Sequence, residues 1–545
     1  MSSLRVSVCQ VDDLSPGEMQ QFSVKGRDIL LARLEDDFLA TAAHCSHYGA
    51  PLVEGVRHGD RIICPWHNAC FSLATGAQLE PPGRDDLVRY PVTIEAGTVY
   101  VELPVSKVQT RSNAFFEEPE PIQAHVHPDL ARPVLQQDDR TFVIVGAGAA
   151  GSAAAEMLRQ MRFRGRILML TADSQLPYDR TALSKSYLQS DSLEDSDSLR
   201  PAEFYEQYGI EIKTAIRATR LDCNAKRLIC DDDTVIPYDA ILLATGGKVR
   251  QIPIEGADRA NIFTLRRAEE AKQLLQAAQN AQRAVVIGSG FIGMEVAASL
   301  KQQGLDVTVV GSSTVPFAKV LGKDVGDLFQ QIHEAEGVRF QLGTKATAFH
   351  GNGKVESVEL ETGETLPADL VVVGIGVEPA TDFAGADILD DRDRSVLVDE
   401  YLQAAPDVYA AGDIARFPYL MTGEPVRIEH WRLAMQQGRI AACNMLGKAV
   451  PFRSVPFFWT GQFGQKLRYV GHVEAWDDVI IHGSLADKSF LAFYVKADTV
   501  LAVAGIGRDR DIAAISELMR IGRTLTTQEL QQTDTNWIEH LKKVS

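Results

Sequence analysis

Four residues near the N-terminus form two short pairs of metal-ligating type. Cys45-Ser46-His47 is followed, after a sixteen-residue gap, by Cys64-Pro65-Trp66-His67. Two thiolates and two imidazoles can hold a [2Fe–2S] cluster asymmetrically, with Cys45 and Cys64 on one iron and His47 and His67 on the other. Neutral imidazole leaves such a cluster less negative than four thiolates do, which raises its reduction potential. The same donor count also suits a tetrahedral zinc ion, and two cysteines can instead close a disulfide. The other five cysteines (Cys9, Cys70, Cys223, Cys230, Cys443) show no Cys-x-x-Cys spacing and read as reduced, semi-buried apolar residues.

The paired loops resemble the Rieske ferredoxin family. Phe71-Ser72-Leu73-Ala74-Thr75-Gly76 and Pro81-Pro82-Gly83 fit that family's cluster-covering segments. High-potential members resemble one another in a Ser two residues after the second His ligand and a Tyr two further on. Here those positions are Ala69 and Phe71, which donate no hydrogen bond. The extra disulfide of those proteins is missing too, since Ala50 and Trp66 stand at its positions. Hydrogen bonds to sulfur are a main lever on potential. The expected potential is therefore ferredoxin-like, toward the low end of the roughly −150 to +300 mV Rieske range.

A second kind of chemistry sits further along. Gly146-Ala147-Gly148-Ala149-Ala150-Gly151 follows an apolar run, Thr141 to Val145, and precedes a helical pattern, Ser152 to Gln160. Gly146 permits a tight turn, Gly148 lets a pyrophosphate approach the backbone, and Gly151 lets helix and strand pack closely. The helix N-terminus favours the anion. The acid expected to bind a ribose is displaced by two residues after the strand Arg166 to Leu170, and Asp173 is the candidate. About 140 residues on, Ala284 to Ile287 and Gly288-Ser289-Gly290-Phe291-Ile292-Gly293 repeat the arrangement, with a helix from Phe291 to Gln302 and a strand from Asp306 to Val310. An acid at the end of that strand would bind the 2′-OH of NAD. Val310-Gly311-Ser312-Ser313 has none, and no Arg replaces it.

Further segments resemble those of flavoprotein ferredoxin reductases and the apoptosis-inducing-factor group. Pro177-Tyr178-Asp179-Arg180-Thr181-Ala182-Leu183-Ser184-Lys185 is similar to their P-Y-x-R-P-x-L-S-K run, with Thr181 where Pro is usual. The resemblance implies that Arg180 and Lys185 contact FAD. Ala244-Thr245-Gly246 resembles the turn that returns beside the flavin, and Gly412-Asp413 the second FAD fingerprint. Glu429-His430-Trp431 resembles the start of the helix that caps the flavin. Gly376, in Gly374 to Pro379, marks the crossing back to the FAD domain, where Glu378 could also reach the nicotinamide. In these reductases a Glu at the position of Glu295 lies near the nicotinamide and pairs with the flavin-side lysine, here Lys185. Both residues sit in cofactor motifs rather than apolar stripes, so they are expected to serve hydride transfer rather than folding. The cofactors implied are FAD, a Rieske [2Fe–2S] cluster and NADH, with NADPH left open.

These expectations need several domains to position them, and 545 residues suffice for three or four. Short strands with turns to about residue 104 suit an all-β cluster domain (1–107), with an acidic, Pro-rich linker after it (108–139). Alternating strands and helices then suit two α/β Rossmann-like domains, one inserted in the other as in the glutathione-reductase arrangement: FAD 140–258 and 377–451, NAD(P)H 259–376. Strands followed by helices at Asp511–Ile521 and Thr527–Gln532 suit an α+β C-terminal domain (452–545). The charge of −18 argues against nucleic acid and anionic membranes as partners. Ala284 to Leu300, the longest apolar run, carries Glu295, and the N-terminus lacks the pattern of a signal peptide, so a cytoplasmic protein is expected.

As a whole the chain resembles Rieske-containing, apoptosis-inducing-factor-like flavoprotein reductases. The resemblance implies an FAD-dependent NAD(P)H:ferredoxin-type oxidoreductase, monomer or homodimer, that passes electrons by way of FAD and the fused cluster to a protein such as an oxygenase. An NAD(P)H oxidase or small-acceptor reductase, and a redox-sensing interaction protein, are the alternatives. No redox cysteine follows the first glycine-rich helix and none lies in Leu183-Ser184-Lys185, which argues against disulfide and thiol-peroxidase chemistry.

Overall fold

The computed structural model describes residues 3–35, 37–104, 138–190, 198–531 and 535–544. The expected linker at 108–139 lies outside the described residues except for its last two. The chain forms two compact units, one of 1–133 with 508–524 and 532–545, the other of 134–507 with 525–531. The elements expected in a C-terminal domain at 452–545 are thus shared between the two. Among the described residues no helix is long and apolar enough to cross a membrane.

The first unit is built on three small antiparallel sheets. One joins Ser3–Gln10, Thr98–Pro104 and Val92–Glu95; another joins Met19–Val24, Arg27–Arg33, Phe38–Ala42 and Arg89–Tyr90; the third joins Val56–His58, Arg61–Ile63, Cys70–Ser72 and Gln78–Glu80. Period-two alternation in Arg27–Arg33 sends Ile29 and Leu31 into one core with Phe38, Val99 and Val101, while Leu30 and Ala32 enter another. That second core contains Leu52, Ile62, Phe71 and Leu73 together with Cys45 and Cys64. The cluster loops therefore rest on packed strands.

Helices Asp509–Arg520 and Trp537–Lys543 complete this unit. Glu517, only 3% exposed, accepts from His58 Nδ1 at 2.9 Å and from both Nε and NH2 of Arg520 at 2.6 Å, and lies 3.2 Å from Arg61 Nε. Asn68, beside His67, donates to Ser516 Oγ at 2.9 Å. The helix at Trp537–Lys543, absent from the sequence reading, starts where the Asn536 side chain accepts from the Ile538 and Glu539 amides. The helix expected at Thr527–Gln532 is one turn, Thr527–Leu530, with a Thr526–Glu529 capping box.

The second unit contains both Rossmann-like sheets. In the first, Ile210–Lys213, Arg166–Leu170, Thr141–Val145, Ala240–Leu243 and Val408–Ala410 run parallel, and Gln403–Ala405 adds an antiparallel edge. In the second, Ile262–Phe263, Leu370–Val373, Arg283–Ile287, Asp306–Gly311 and Arg339–Leu342 are all parallel. Their strands are near-continuous apolar runs, as sheets covered on both faces require. The crossings between them, Gly247–Val249 and Val377–Pro379, pair as an antiparallel ribbon. Five antiparallel strands from Phe457 to Ile506 form a further sheet, and Leu467, Tyr469, Phe490 and Tyr494 share one core with Val286, Met294, Val307 and Phe329 of the second Rossmann-like sheet and its helices. The helix after the first glycine-rich turn starts at Ala149 rather than Ser152, because Gly148 itself is the N-cap.

Candidate active site and cluster centre

Cys45 and Cys64 are both buried, and a thiol–thiol hydrogen bond between them, with burial next, pushes the Cys45 pKa well up. His47 Nδ1 and His67 Nδ1 face each other at 3.0 Å. Burial, then Arg84, holds His47 down at about 3, which is the neutral imidazole that ligates metal. Among the described residues no three or more His, Cys, Asp or Glu side chains converge as a single metal site. A pair of thiols and a pair of imidazoles are what a two-iron cluster with two protein ligands per iron needs. Ser46 ties the first loop to the proline loop: its Oγ donates to Asp85 O at 2.7 Å and accepts from the Arg84 and Asp85 amides at 3.2 Å. The residues present fit a Rieske cluster.

In the second unit one cavity of about 1110 Å³ is lined by both glycine-rich turns. A Cβ on Gly146, whose φ is +110°, would lie 2.1 Å from Ala244 O, and one on Gly151 would lie 1.9 Å from Gly146 O. A Cβ on Gly148 would meet nothing within 4 Å. The outer glycines are thus demanded by packing, and the middle one leaves an open cradle before the helix N-terminus. Gly288, Gly290 and Gly293 repeat the pattern, with 2.2 Å to Gly374 O, nothing within 4 Å, and 2.1 Å to Gly288 O respectively. Two such cradles on one cavity fit two dinucleotides.

Most of the other expected residues line this cavity: Asp173, Arg180, Lys185, Ala244, Thr245, Gly246, Phe291, Ile292, Glu295, Gly376, Gly412, Asp413, Glu429, His430 and Trp431. Asp173 is already engaged by its neighbours, with Oδ2 accepting from Tyr178 OH at 3.1 Å and Arg180 NH2 at 3.3 Å and Oδ1 lying 3.2 Å from Arg267 Nε. Arg180 also donates to the Arg266 carbonyl. Asp413 pairs with Arg266 at 2.8 Å, and the Gly412 amide donates to Gln437 Oε1 at 2.7 Å. Burial, then Asp413, raises Glu429, while burial, then His472, holds His430 at about 3. Glu378 is not in the lining; it forms an ion pair with Lys248 at 3.1 Å.

Lys185 and Glu295 meet. Lys185 Nζ lies 2.7 Å from Glu295 Oε2, Ser184 Oγ donates to the same oxygen, and Thr460 Oγ1 donates to Oε1 at 2.7 Å. Glu295 is 3% exposed. From the helix Phe291–Gln302 it therefore bonds to both the Arg180–Tyr187 turns and the strand Phe457–Gln462. Beside the expected role in chemistry, a buried carboxylate with three donors also ties these elements together. Sequence reading missed Thr460, Arg266 and Gln437. No spacing rule connects them to their partners, and Thr460 stands 165 positions from Glu295.

Residues 5–91 match the family model of the Rieske [2Fe-2S] domain, 140–438 that of the pyridine nucleotide-disulphide oxidoreductases, and 457–541 that of the reductase C-terminal domain. The chain is 37% identical over 533 residues to apoptosis-inducing factor 3 of Homo sapiens, covering 97% of this chain and 86% of that one. A ferredoxin reductase from Rhodopseudomonas palustris is similar in structure, with TM-score 0.70, 34% identity and coverage of 75% of this chain and 100% of that one. The reductase in a covalent putidaredoxin reductase–putidaredoxin complex matches with TM-score 0.70, 30% identity and coverage of 75% and 99%. Among the described residues that line the cavity none is a cysteine.

Proposed function

The chain belongs to the pyridine nucleotide-disulphide oxidoreductase family in a form fused to a Rieske domain, and from that premise we propose that it oxidises NAD(P)H and delivers the electrons through FAD and its own cluster to a protein acceptor such as an oxygenase. One cavity lined by two glycine cradles, with Lys185 and Glu295 in its wall, carries this reading. When bound, FAD splits a two-electron donor into single-electron steps, and a [2Fe–2S] cluster carries single electrons.

The chain's own residues do the rest. Gly148 and Gly290 leave room for the two pyrophosphates, each before a helix N-terminus. Arg180, Arg266 and Asp413 border the FAD side, and Ala244, Thr245 and Gly246 form the turn that backs it. The Thr245 hydroxyl donates to Ala380 O at 2.7 Å, which ties that turn to the returning crossing near Gly376. Glu429, His430 and Trp431 cap the cavity at the start of the helix Trp431–Met445. With FAD and the coenzyme bound, Lys185, held by Glu295, would offer a fixed cation in the wall of the cavity they share. Cys45, Cys64, His47 and His67 would hold the cluster. Carrying the cluster in the same chain replaces a diffusional encounter by a high effective concentration.

Anaerobic mixing with NADH, following flavin and cluster absorption separately, tests the reading. Flavin bleaching followed by cluster reduction within the same molecule is expected. Cluster reduction that depends on protein concentration, or none at all, would refute the internal route.

A further inference from the structure

The second glycine-rich turn lacks the acid that selects NAD, and the structure shows what stands in its place. The strand Asp306–Gly311 ends at a buried glycine. A Cβ on Gly311 would lie 2.6 Å from Ser289 Oγ and 3.0 Å from Leu342 Cδ2. Ser289, inside the glycine-rich turn, therefore fills the space where an acidic side chain would begin. From Ser312 to Ala318 no residue is acidic. The Phe317 amide donates to Ser289 O at 3.1 Å, which fixes the short turn Ala318–Leu321, ahead of the kink at Gly322 (φ +75°) in the helix Ala318–Ala335, beside that glycine-rich turn. Lys319, the second residue of this helix, is exposed and lines the cavity. It makes no hydrogen bond or ion pair among the described residues. Three other cations of the lining are engaged: Arg180 with Asp173, Arg266 with Asp413, Lys185 with Glu295.

We propose that this coenzyme site admits a 2′-phosphate, so that NADPH serves as well as NADH, and that Lys319 takes that phosphate. The argument rests on the second glycine-rich turn being the nicotinamide-coenzyme site. NAD-selective sites use a carboxylate that binds the ribose 2′-OH and repels a 2′-phosphate. Gly311 removes the repulsion, and a partnerless lysine on a helix pinned to the same turn supplies a charge-assisted donor.

The test uses the FAD-loaded full chain and two probes without a reducible ring, 2′,5′-ADP and 5′-AMP, titrated calorimetrically. The first is expected to bind at least as tightly as the second. Lys319→Ala is expected to lower the ratio of their affinities about fivefold or more, as loss of a charged hydrogen bond does. Tighter binding of 5′-AMP in the natural chain, or a ratio unmoved by Lys319→Ala, overturns the inference. If neither probe binds, the reading of the turn itself falls. A double variant, Ser289→Gly with Gly311→Glu, restores the acid and makes room for it; it should favour 5′-AMP about tenfold, and retained preference for 2′,5′-ADP would show that Gly311 does not border the ribose.

Discussion

Lys185 Nζ and Glu295 Oε2 are 2.7 Å apart although the two residues belong to different nucleotide motifs. The lysine side chain keeps 24% exposure toward the cavity, while the carboxylate is nearly closed off. The pair thus points one fixed cation at the space between the cradles. Lys185→Met is expected to slow flavin reduction by NADH about 10²-fold, the scale of misplaced reacting groups. It should also destabilise the protein by about 3 kcal/mol, because Glu295 stays buried with only Ser184 and Thr460 as donors. Adding Glu295→Gln should return much of that stability without restoring the rate. Stopped-flow reduction and chemical denaturation of the two single variants and the double one decide the matter. Independent, additive effects on stability would mean that the pair is not coupled.

The glycines of the first turn separate folding from cofactor binding. Gly151→Ala places a methyl 1.9 Å from Gly146 O, and the backbone must shift to admit it. Gly148→Val adds bulk where nothing stands within 4 Å, so the chain should fold as before and fail to retain FAD. Circular dichroism and the flavin-to-protein ratio after gel filtration should show Gly148→Val folded but colourless in the flavin band, with Gly151→Ala losing both. Retention of FAD by Gly148→Val would place the pyrophosphate elsewhere.

Contiguous motifs were legible because backbone requirements are local. Gly146, Gly148 and Gly151, and likewise Gly288, Gly290 and Gly293, are specified by a strand, a turn and a helix within about a dozen residues, so spacing alone placed them. The four candidate cluster ligands follow from equally local spacing, and the fold brings them together as Cys45 with Cys64 and His47 with His67. What lay beyond reading were the partners brought together by folding. Asp173 is the expected ribose ligand, and the fold sets Arg267, 94 positions on by number, 3.2 Å from it. Ser516 and Glu517 carry no motif and pack by the cluster loops from the other end of the chain. Glu378 lay within a crossing motif, but a nearby lysine on the paired strand captured it. Such outcomes depend on tertiary contacts that no local period encodes.

The carboxylate of Glu517 joins the first unit together. Burial opposes its charge, but Arg520, Arg61 and His58 outweigh burial and hold its pKa below the usual glutamate range. A carboxyl depressed by folding contributes stability that is complete above its unfolded pKa of about 4.3 and is lost as the pH falls through the folded value. Cluster retention, followed by visible circular dichroism, should therefore resist mild acid and fail below about pH 4. Glu517→Gln should cost about 2 to 3 kcal/mol near neutrality and flatten this acid dependence. An unchanged acid profile in the variant would remove Glu517 from that role.

The cluster potential can be moved by adding one donor, and the packing decides where. Ala69 is fully buried, and its carbonyl accepts from the Cys64 amide at 2.8 Å. Phe71 is equally buried, but its ring tip is blocked: a Cβ on Gly83 would lie 2.7 Å from Phe71 Cζ, so a hydroxyl added there meets the proline loop. Ala69→Ser adds one small hydroxyl with less crowding than Phe71→Tyr. A hydrogen bond to sulfur stabilises the reduced, more negative state. One such bond, worth about 1 kcal/mol between the two redox states, corresponds to roughly +40 mV for a one-electron couple. A redox titration should place the natural chain toward the low end of the roughly −150 to +300 mV range and Ala69→Ser above it, with the g values of a His-ligated cluster kept in both. Phe71→Tyr should instead lower cluster occupancy through overpacking. A natural midpoint near the top of the range would contradict the assignment of these two positions, and an all-cysteine type of EPR spectrum would contradict the ligand set itself.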